Sequence, residues 1–442
     1  MTTLPFGQNV RPLTSCAMLL LCGALSACGI FSSEEILPGD REPIRPDAAA
    51  ELLPAESVPL QIAPATENLV WTHKGGSPSH RIENPALSDA PSRIWSVSVG
   101  TGSSRDGRIT SGPVVGIAGI LTLDAGGTVT STDFSGARQW QARLVPDGEA
   151  PQEAFGGGVA VVGERAYVTT GLGQVVTLDT TTGEEIWRRR FDAPFRSAPT
   201  VAAERLIVVD RSNTAHGLDR QTGQTVWRIR GAETGVAMIA AAQPAFTDGI
   251  GLIPFASGEV QAVFSRTGRR LWSTVIASGR RGIARASIGE ITADPVVDGI
   301  TVYAGNQSGA LVSIDGRNGQ RNWTLSEGAR DLPTLTADSL FFVTDQGVLT
   351  RVDRESGSRI WTTPLDTEIQ GSDTRQRAFY GPVMAGGQLY VAQSDADILV
   401  FDPATGEQVR RILLAGGAAA APAVARNTLM VLSNTGFLHA FQ

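Results

Sequence analysis

The sequence predicts an all-β fold, an eight-bladed β-propeller built from four-stranded antiparallel blades. First, one short turn motif recurs seven times, with steps of 38 to 51 residues between its glycines, and a period of this size is typical of propellers and solenoids. Second, segments of alternating apolar and polar residues precede the turns, which indicates strands with one buried face. Third, eight strand starts fall between residues 95 and 442, at about 43 residues per repeat.

The repeated turn has one pattern: Asp, two variable residues, a small polar residue, Gly, three variable residues and Trp. An Asp side chain can accept a hydrogen bond from a backbone N–H two residues later, and Gly adopts the positive φ that closes a short hairpin loop. We therefore expect a tight hairpin between the third and fourth strands of each blade. Close copies span residues 179–187, 219–227, 315–323 and 353–361, and looser copies begin at Asp133, Phe264 and Asp402.

Six repeats place a tryptophan four residues after the turn glycine, and the seventh has Arg410 there. A tryptophan ring buries a large area and can dock between neighbouring blades. We interpret these residues as structural core rather than as a platform on which a ligand stacks. The six are Trp140, Trp187, Trp227, Trp272, Trp323 and Trp361.

The two ends of the chain are expected to share one blade. The last repeat stops at Phe441 without a fourth strand, whereas residues 94–99 form an apolar strand ahead of the first complete repeat. Pairing of these segments closes the ring and protects edges that would otherwise be exposed. The propeller is predicted to span residues 70–442, and we interpret residues 71–84 as an extra outer segment.

Residues 1–27 have the pattern of a secretory signal peptide. They contain a single charge, Arg11, and an apolar run over residues 17–27 that is too short to span a bilayer. The run ends in Leu-Ser-Ala before Cys28, which resembles the lipobox of bacterial lipoproteins and implies cleavage and acylation at Cys28. Because Gly29 rather than Asp follows, lipoprotein sorting rules imply the periplasmic face of the outer membrane. A soluble secreted protein with an incidental cysteine is the alternative.

Residues 28–69 are predicted to be a lipidated cysteine followed by a flexible tether. They are rich in Pro, Glu and Ala and carry a net charge of about −6, and such a composition cannot bury a core. Residues 70–442 are close to neutral, with a net charge of about −2. This balance gives no support for nucleic-acid binding, which depends on excess positive charge.

The polar residues fit no catalytic or metal-binding pattern. Once the signal peptide is removed, Cys28 is the one remaining cysteine, and the four histidines are scattered without metal-ligand spacing. Aspartates that recur once per repeat are interpreted as turn formers. The glycines at 156–158 precede no helix that could bind phosphate. The sequence therefore predicts no enzyme activity, no metal site and no cofactor.

The Asp-x-x-Thr-Gly-x-x-x-Trp turn resembles the repeat of pyrroloquinoline quinone (PQQ) enzymes and their relatives. With the lipobox, the tether and the order of the connectors, residues 25–442 resemble the BamB family of lipoproteins, subunits of the β-barrel assembly machinery. The resemblance implies a non-catalytic scaffold that helps deliver β-barrel proteins and insert them into the outer membrane. It implies a BamA-type barrel-insertion protein, other assembly lipoproteins and unfolded outer-membrane proteins as partners, with membrane contact through the lipid anchor alone.

Two other functions remain open from the sequence. PQQ-dependent dehydrogenases are also propellers, so the alternative is a periplasmic enzyme of this kind or a degenerate binder of the cofactor. Those enzymes resemble one another in a Ca²⁺ held by acidic and amide ligands, an Asp base and, in many cases, adjacent cysteines. The chain has no cysteine pair after residue 28. A generic adaptor for cell-envelope enzymes is the third interpretation.

Function in a propeller usually lies in its loops, and connector length singles out three connectors, two of which are neighbours. The neighbours run from Trp227 to Pro244 and from Trp272 to Pro295, over 17 and 23 residues, and the third runs from Trp361 to Pro382 over 21 residues, whereas the short connectors take 10 and 12. Long connectors in a compact repeat are often functional. In the BamB family, the region of the two neighbouring connectors contacts a periplasmic domain of the BamA-type partner.

The resemblance assigns contact residues within these connectors. Alignment on the proline that ends each connector places the family's apolar pair on Val236 and Met238, its arginine on Ile239 and one of its acidic residues on Glu290. Because Ile239 is uncharged, we hypothesise that an arginine of the second connector supplies the positive charge. The candidates are Arg280, Arg281 and Arg285. The alternative is that these arginines are solvated loop residues without a partner protein.

Overall fold

Eight four-stranded antiparallel sheets make up most of the chain that the structure describes. The structure is a computed structural model and describes residues 58–234, 241–276, 289–369 and 372–442. Seven sheets contain strands that follow one another in the chain, and the eighth combines strands from both ends. The predicted all-β propeller of eight four-stranded blades is confirmed.

The strands follow the predicted repeats. The first, β1 (Arg93–Ser98), belongs to the closing blade, and a single 3-10 turn (Pro151–Glu153) follows blade 1. Blade 1 has β2 (Val114–Val115), β3 (Ile120–Leu123), β4 (Thr128–Thr132) and β5 (Arg138–Arg143); blade 2 has β6 (Gly157–Val162), β7 (Arg165–Thr170), β8 (Gln174–Asp179) and β9 (Glu185–Arg190). Blade 3 has β10 (Thr200–Ala202), β11 (Arg205–Val209), β12 (Thr214–Asp219) and β13 (Thr225–Arg230); blade 4 has β14 (Ala245–Thr247), β15 (Ile250–Pro254), β16 (Glu259–Phe264) and β17 (Arg270–Val275).

The second half of the ring repeats this arrangement. Blade 5 has β18 (Ile291–Asp298), β19 (Thr301–Asn306), β20 (Ala310–Asp315) and β21 (Arg321–Leu325); blade 6 has β22 (Thr334–Leu335), β23 (Ser339–Val343), β24 (Val348–Asp353) and β25 (Arg359–Pro364). A two-stranded hairpin, β26 (Glu368–Ile369) and β27 (Ser372–Gln376), precedes blade 7. Blade 7 has β28 (Phe379–Ala385), β29 (Gln388–Gln393), β30 (Ile398–Phe401) and β31 (Gln408–Ile412); blade 8 joins β32 (Ala423–Ala425), β33 (Thr428–Leu432) and β34 (Phe437–Phe441) to β1.

Burial decreases from the inner strands of a blade to the outer one. In blade 2, five of the six residues of β8 are buried, whereas β9 exposes four of its six. Because blades stack face to face, a middle strand is covered on both sides, and strands of this kind read as continuous apolar runs. The outer strand borders solvent and keeps polar residues.

The repeated turn is a tight hairpin between the third and fourth strands, as predicted. In blade 2, Oδ1 of Asp179 accepts hydrogen bonds from the backbone N–H groups of Thr181 at 2.8 Å and Thr182 at 2.9 Å. Hydrogen bonds from Thr182 and Thr181 lower the pKa of Asp179. Gly183 closes the loop with a φ of 75°. The carboxylate that recurs in six of the seven turns is thus engaged in holding its own turn.

The repeat tryptophans join neighbouring blades. The indole N–H of Trp187 donates a hydrogen bond to the backbone oxygen of Arg220, in the turn of the next blade, at 3.3 Å. The ring lies on Gly223 of that turn, where a Cβ would come within 2.7 Å of it. The same bond recurs at seven junctions: Trp95 to Phe134, Trp140 to Thr180, Trp187 to Arg220, Trp227 to Ser265, Trp272 to Gly316, Trp323 to Arg354 and Trp361 to Pro403.

The ends of the chain close the ring within blade 8, as predicted. Strand β1 pairs antiparallel with β34, and the backbone groups of Ser92 and Gln442 exchange two hydrogen bonds of 2.9 Å. This blade has no Asp–Gly turn on which a tryptophan could lie. Arg410, which takes the tryptophan position in blade 7, donates instead to the backbone oxygen of Asp89. The split blade therefore explains the one repeat without a tryptophan.

Residues 58–87, which we name the N-terminal strap, cross the ring along the carboxyl ends of its innermost strands. The prediction that residues 71–84 form an extra outer segment is wrong, because these residues lie against the first strands of the blades. Hydrogen bonds join the strap to all eight blades, and their partners in the blades include Val115, Val161, Val201, Phe246, Val297, Ala337, Gly386 and Arg426.

The strap also moves the boundary between tether and ring. Residues 58–69 fall within the predicted tether, but Val58, Leu60 and Ile62 pack against the hydrophobic cluster of blades 6 and 7. The side chain of Asn68 donates a hydrogen bond of 3.0 Å to a backbone oxygen of blade 8. Alternating apolar residues at the start of this stretch are therefore partly buried against the ring, although the composition of the stretch is that of a linker.

Lys74 is the only lysine in the chain, and it anchors the strap. Its Nζ lies 2.7 Å from Oδ2 of Asp294 and 2.7 Å from Oδ1 of Asp331, whose side chains are 1% and 7% exposed. Burial lowers the pKa of Lys74, but the two carboxylates outweigh burial and the net shift is upwards. The ammonium therefore stays charged and compensates two acids that are nearly removed from water.

The network around His73 requires one neutral tautomer. Its Nε2 accepts the backbone N–H of Val201 at 3.0 Å, and its Nδ1 lies 2.8 Å from the hydroxyl oxygen of Thr72. That hydroxyl donates its own proton to the backbone oxygen of Gly76 at 3.2 Å. The proton between Nδ1 of His73 and the hydroxyl oxygen of Thr72 is therefore carried by Nδ1. Burial and, second, His80 lower the pKa of His73 to about 3.

We expect this histidine to make the ring less stable in acid. The unfolded chain binds the proton near about pH 6.5, but the folded protein does so only near pH 3. The contribution of neutral His73 to stability is therefore fully present above the pKa of the unfolded state. As the pH decreases from there towards the pKa of the folded state, the free energy of unfolding falls by up to about 1.4 kcal/mol per pH unit. Urea unfolding across this range measures the slope. His73→Gln keeps an acceptor for the N–H of Val201 and should reduce the number of protons taken up on unfolding by about one, as read from the slope of the free energy of unfolding against pH. An unchanged slope would contradict the assignment of this proton to His73.

Candidate partner-binding face

The two faces of the ring carry different connections. In a four-stranded antiparallel meander, the turns between strands 1 and 2 and between strands 3 and 4 lie on one side, which we name the turn face. Turns between strands 2 and 3 and the connectors between blades lie on the other side, the connector face. Because the strap bonds at the carboxyl ends of the first strands, it lies over the turn face. The described ends of the two neighbouring long connectors lie on the connector face.

Most of the predicted contact residues lie outside the described part of the chain. The structure describes neither residues 235–240 nor residues 277–288. These two segments contain six of the predicted contact residues: Val236, Met238, Ile239, Arg280, Arg281 and Arg285. The described residues on either side do show how the two connectors are attached to the ring.

Gln243, at the base of the first connector, ties three blades together. Its backbone N–H donates to Oδ1 of Asp294 in blade 5 at 2.6 Å, and its side-chain amide donates to the backbone oxygen of Pro199, just before blade 3, at 2.8 Å. Gln243 itself lies just before blade 4 and is 2% exposed. The connector bases are therefore held in one place by buried hydrogen bonds.

Glu290, the one predicted contact residue that the structure describes, forms a buried ion pair. Its side chain is 1% exposed, and Oε1 lies 2.8 Å from Nη1 of Arg196, whose side chain is 7% exposed. This buried ion pair joins the connector before blade 5 to the connector before blade 3. Glu290 is therefore buried rather than exposed, and its ion pair with Arg196 fixes the end of the second connector. Sequence spacing does not reveal this role, because Arg196 lies 94 residues away.

A cleft of about 260 Å³ opens on the connector face between blades 5, 6 and 7. Turns of blades 5 and 6 form one wall, and the connector after blade 6 forms the other. Arg377 of this connector makes ion pairs of 3.0 Å with Asp366 and 2.6 Å with Asp395. The 21-residue length of the connector is the sequence signal for this cleft. Its size suits one or two side chains of a partner protein.

The buried acids on the inner side of the ring do not fit the calcium site of a quinone enzyme. Asp294 and Asp331 are the buried pair there, and the ammonium of Lys74 lies 2.7 Å from both. A cation would have to displace this lysine. Within the described ranges, no group of three or more His, Cys, Asp or Glu residues could hold a metal ion.

A separate search of the same ranges finds no helix that is both long enough and apolar enough to cross a membrane.

The ring, its turn motif and its interblade tryptophans define a PQQ-like β-propeller. A family model described as "Outer membrane protein assembly factor BamB" matches residues 125–363, more than half of the chain. The chain belongs to the BamB family.

Named relatives extend this match over most of the chain. The outer membrane protein assembly factor BamB of Yersinia pestis is 24% identical over 373 residues, covering 83% of this chain and 91% of the relative. That of Shewanella oneidensis is 24% identical over 357 residues, covering 79% and 88%.

Solved structures show the same fold. The crystal structure of BamB from Moraxella catarrhalis matches with a TM-score of 0.62 at 22% identity, covering 80% of this chain and 98% of that chain. A europium-containing methanol dehydrogenase matches with a TM-score of 0.67 at 14% identity, covering 84% and 98%. At these identities the likeness concerns the propeller fold alone.

Proposed function

We propose that the protein is a non-catalytic scaffold of the outer-membrane β-barrel assembly machinery, which helps deliver β-barrel proteins and insert them into the outer membrane. Membership of the BamB family carries this proposal, and the relatives that match over most of their length are named as assembly factors. The chemistry of the ring agrees, because the repeated aspartates hold turns and the buried acids are paired with Lys74. A rigid ring with long connectors on one face suits docking.

The proposed location is the periplasmic face of the outer membrane, with a lipid on Cys28. Residues 29–57 would link this anchor to the strap, which enters the ring at Val58 on blade 6. There the backbone oxygen of Val58 accepts a hydrogen bond from Arg351 at 3.2 Å. A flexible chain of about 30 residues spans roughly 30 Å, which is enough to let the ring reach a neighbouring protein.

We place the docking site for a BamA-type partner on the two long connectors between blades 3 and 5. Val236 and Met238 are the proposed apolar anchors, since buried anchors dominate the energy of most interfaces. The arginines of the second connector would supply the charge. The buried bonds of Gln243 and Glu290 support the proposal because they hold the bases of both connectors together. The family implies further contacts with other assembly lipoproteins and with unfolded outer-membrane proteins.

Val236→Asp combined with Met238→Asp is expected to weaken co-purification of the BamA-type partner by about tenfold or more, since each lost anchor costs at least about 1 kcal/mol. The test uses cells that lack their own copy of the protein. Co-purification is measured together with the fraction of an outer-membrane barrel protein that reaches its heat-resistant folded form, which should fall in parallel.

A matched control places two aspartates on the opposite face. Ile117 and Ile300 lie in turns between strands 1 and 2 and are 72% and 57% exposed. Ile117→Asp combined with Ile300→Asp makes the same change in charge and apolar area on the turn face, and we expect it to behave as the wild type. Equal behaviour of the two double variants would remove the long connectors from the proposed docking site.

A further inference from the structure

The outer strands of the blades carry charge of almost one sign. The eight outer strands, one per blade, contain thirteen arginines and a single acidic residue, Glu185. The chain as a whole has 44 acidic and 37 basic residues, so its composition does not produce this excess. Acids lie instead in the turns, as at Asp179 and Asp219. The outer strands thus form a cationic band on a protein with a net charge of −7.

Protection of the strand edges does not account for this uniform sign. Outer strands expose unpaired backbone groups, and charged side chains on them discourage pairing with other chains. Acidic residues could share this task, but the outer strands use arginine almost exclusively. Like charges on neighbouring blades also repel one another. A band of one sign is therefore better explained by a partner of the opposite sign.

The band is densest on blades 1 to 3. Strands β5, β9 and β13 hold seven of the thirteen arginines. Six of the seven are exposed, and we name them the arginine sector: Arg138, Arg143, Arg189, Arg190, Arg228 and Arg230. Arg190 lies 3.6 Å from Glu149. Among the residues that the structure describes, the other five make no ion pair, so most of the sector's charge is uncompensated.

Exposed aliphatic side chains lie between these arginines. On the outer strands of blades 2 and 3, Ile186 and Val226 are 43% and 47% exposed. Each comes directly before a buried repeat tryptophan, so its backbone is held firmly. An edge that combines arginines with aliphatic residues matches the boundary between lipid headgroups and acyl chains.

We propose that the arginine sector binds the surface of an anionic phospholipid membrane. Guanidinium groups form paired hydrogen bonds with phosphate oxygens. The arginines are spread over the outer strands of three blades, which suits a surface with many phosphates more than a single bound anion. The proposal goes beyond partner docking, and it adds a contact by the ring itself to the expected lipid anchor.

Contact through this sector determines how the ring lies on the membrane. Arg143, Arg190 and Arg230 are the last residues of β5, β9 and β13, and these strands run towards the connector face. The sector occupies the rim rather than either face, so the ring stands on its edge. The connector face then points along the membrane, where a membrane-embedded partner can reach it.

Vesicle sedimentation of residues 50–442, which form one compact unit, tests the proposal without a lipid anchor. We expect binding to vesicles that mix phosphatidylglycerol with phosphatidylcholine, and none to phosphatidylcholine alone. High salt should release the protein, since screening acts on exposed charges. Arg189→Glu combined with Arg228→Glu should weaken binding by about 25-fold or more, because each basic residue near an anionic surface contributes about fivefold.

Arg93→Glu combined with Arg321→Glu is the matched control. It makes the same change in net charge on blades 8 and 5, and each pair includes one arginine that donates to a backbone oxygen of the adjacent blade. We expect this variant to bind nearly as the wild type, with the same small effect on thermal unfolding in both variants. Equal loss in the two variants, or equal binding to neutral and anionic vesicles, would overturn the proposal. Failure on vesicles with retained partner co-purification would overturn it and leave the docking proposal intact.

Discussion

Replacement of Trp227 by alanine is expected to lower the free energy of unfolding by about 3–5 kcal/mol. The side chain is 8% exposed, and its indole N–H donates to the backbone oxygen of Ser265 at 2.6 Å. A Cβ added to Gly217 or Gly268 would come within 2.0 or 2.7 Å of the ring. Two backbone segments therefore pack directly against this side chain, and they cannot move to fill the cavity that alanine would leave. The shift of the urea midpoint, followed by circular dichroism, measures the loss.

Trp227→Phe separates packing from hydrogen bonding. Phenylalanine fills much of the cavity but leaves the oxygen of Ser265 without its donor, so we expect less than half of the alanine effect. Blades contact mainly their neighbours, and the loss should appear first at the junction of blades 3 and 4. A Trp227→Ala protein with an unchanged midpoint would show that the tryptophans do not hold the ring together.

Lys74→Met is expected to cost a similar amount, about 3–5 kcal/mol, because it leaves buried acids without their counter-charge. The carboxylates of Asp294 and Asp331 each lie 2.7 Å from Nζ and would then face one another. Their backbone hydrogen bonds remain, since Asp294 accepts from Gln243 and Asp331 from Gly381. The change therefore isolates the contribution of the single ammonium group to stability.

Adding Asp294→Asn to Lys74→Met provides the control. The asparagine keeps an oxygen for the N–H of Gln243 and offers an amide donor towards Asp331, so the double variant should regain a large part of the lost stability. A Lys74→Met protein as stable as the wild type would mean that the strap is held by its backbone bonds alone.

The ring was predictable because its signals are local. The turn that begins at Asp179 and ends at Trp187 contains its own capping carboxylate, its positive-φ glycine and its docking ring within nine residues. Repetition then revealed the number of blades and the missing strand of the last one. Even the exception at Arg410 was visible, although its cause, the absence of an Asp–Gly turn in the split blade, required the structure.

The strap and the supports of the connectors depend on distant residues. Lys74 meets carboxylates more than 200 residues later, and Glu290 meets an arginine 94 residues earlier. No spacing rule connects such pairs, and the composition of residues 58–69 is that of a linker. The family resemblance located the candidate connectors, but it could not distinguish an exposed acid from a buried one.

Co-purification from the cell envelope is the direct test of the proposed role in barrel assembly. The tagged full-length protein is extracted in mild detergent from its own organism, and the proteins that accompany it are identified by mass spectrometry. We expect to recover a BamA-type barrel-insertion protein together with other assembly lipoproteins. Recovery of none of these, together with quinone-dependent absorbance in the purified protein, would contradict the scaffold role and favour a dehydrogenase.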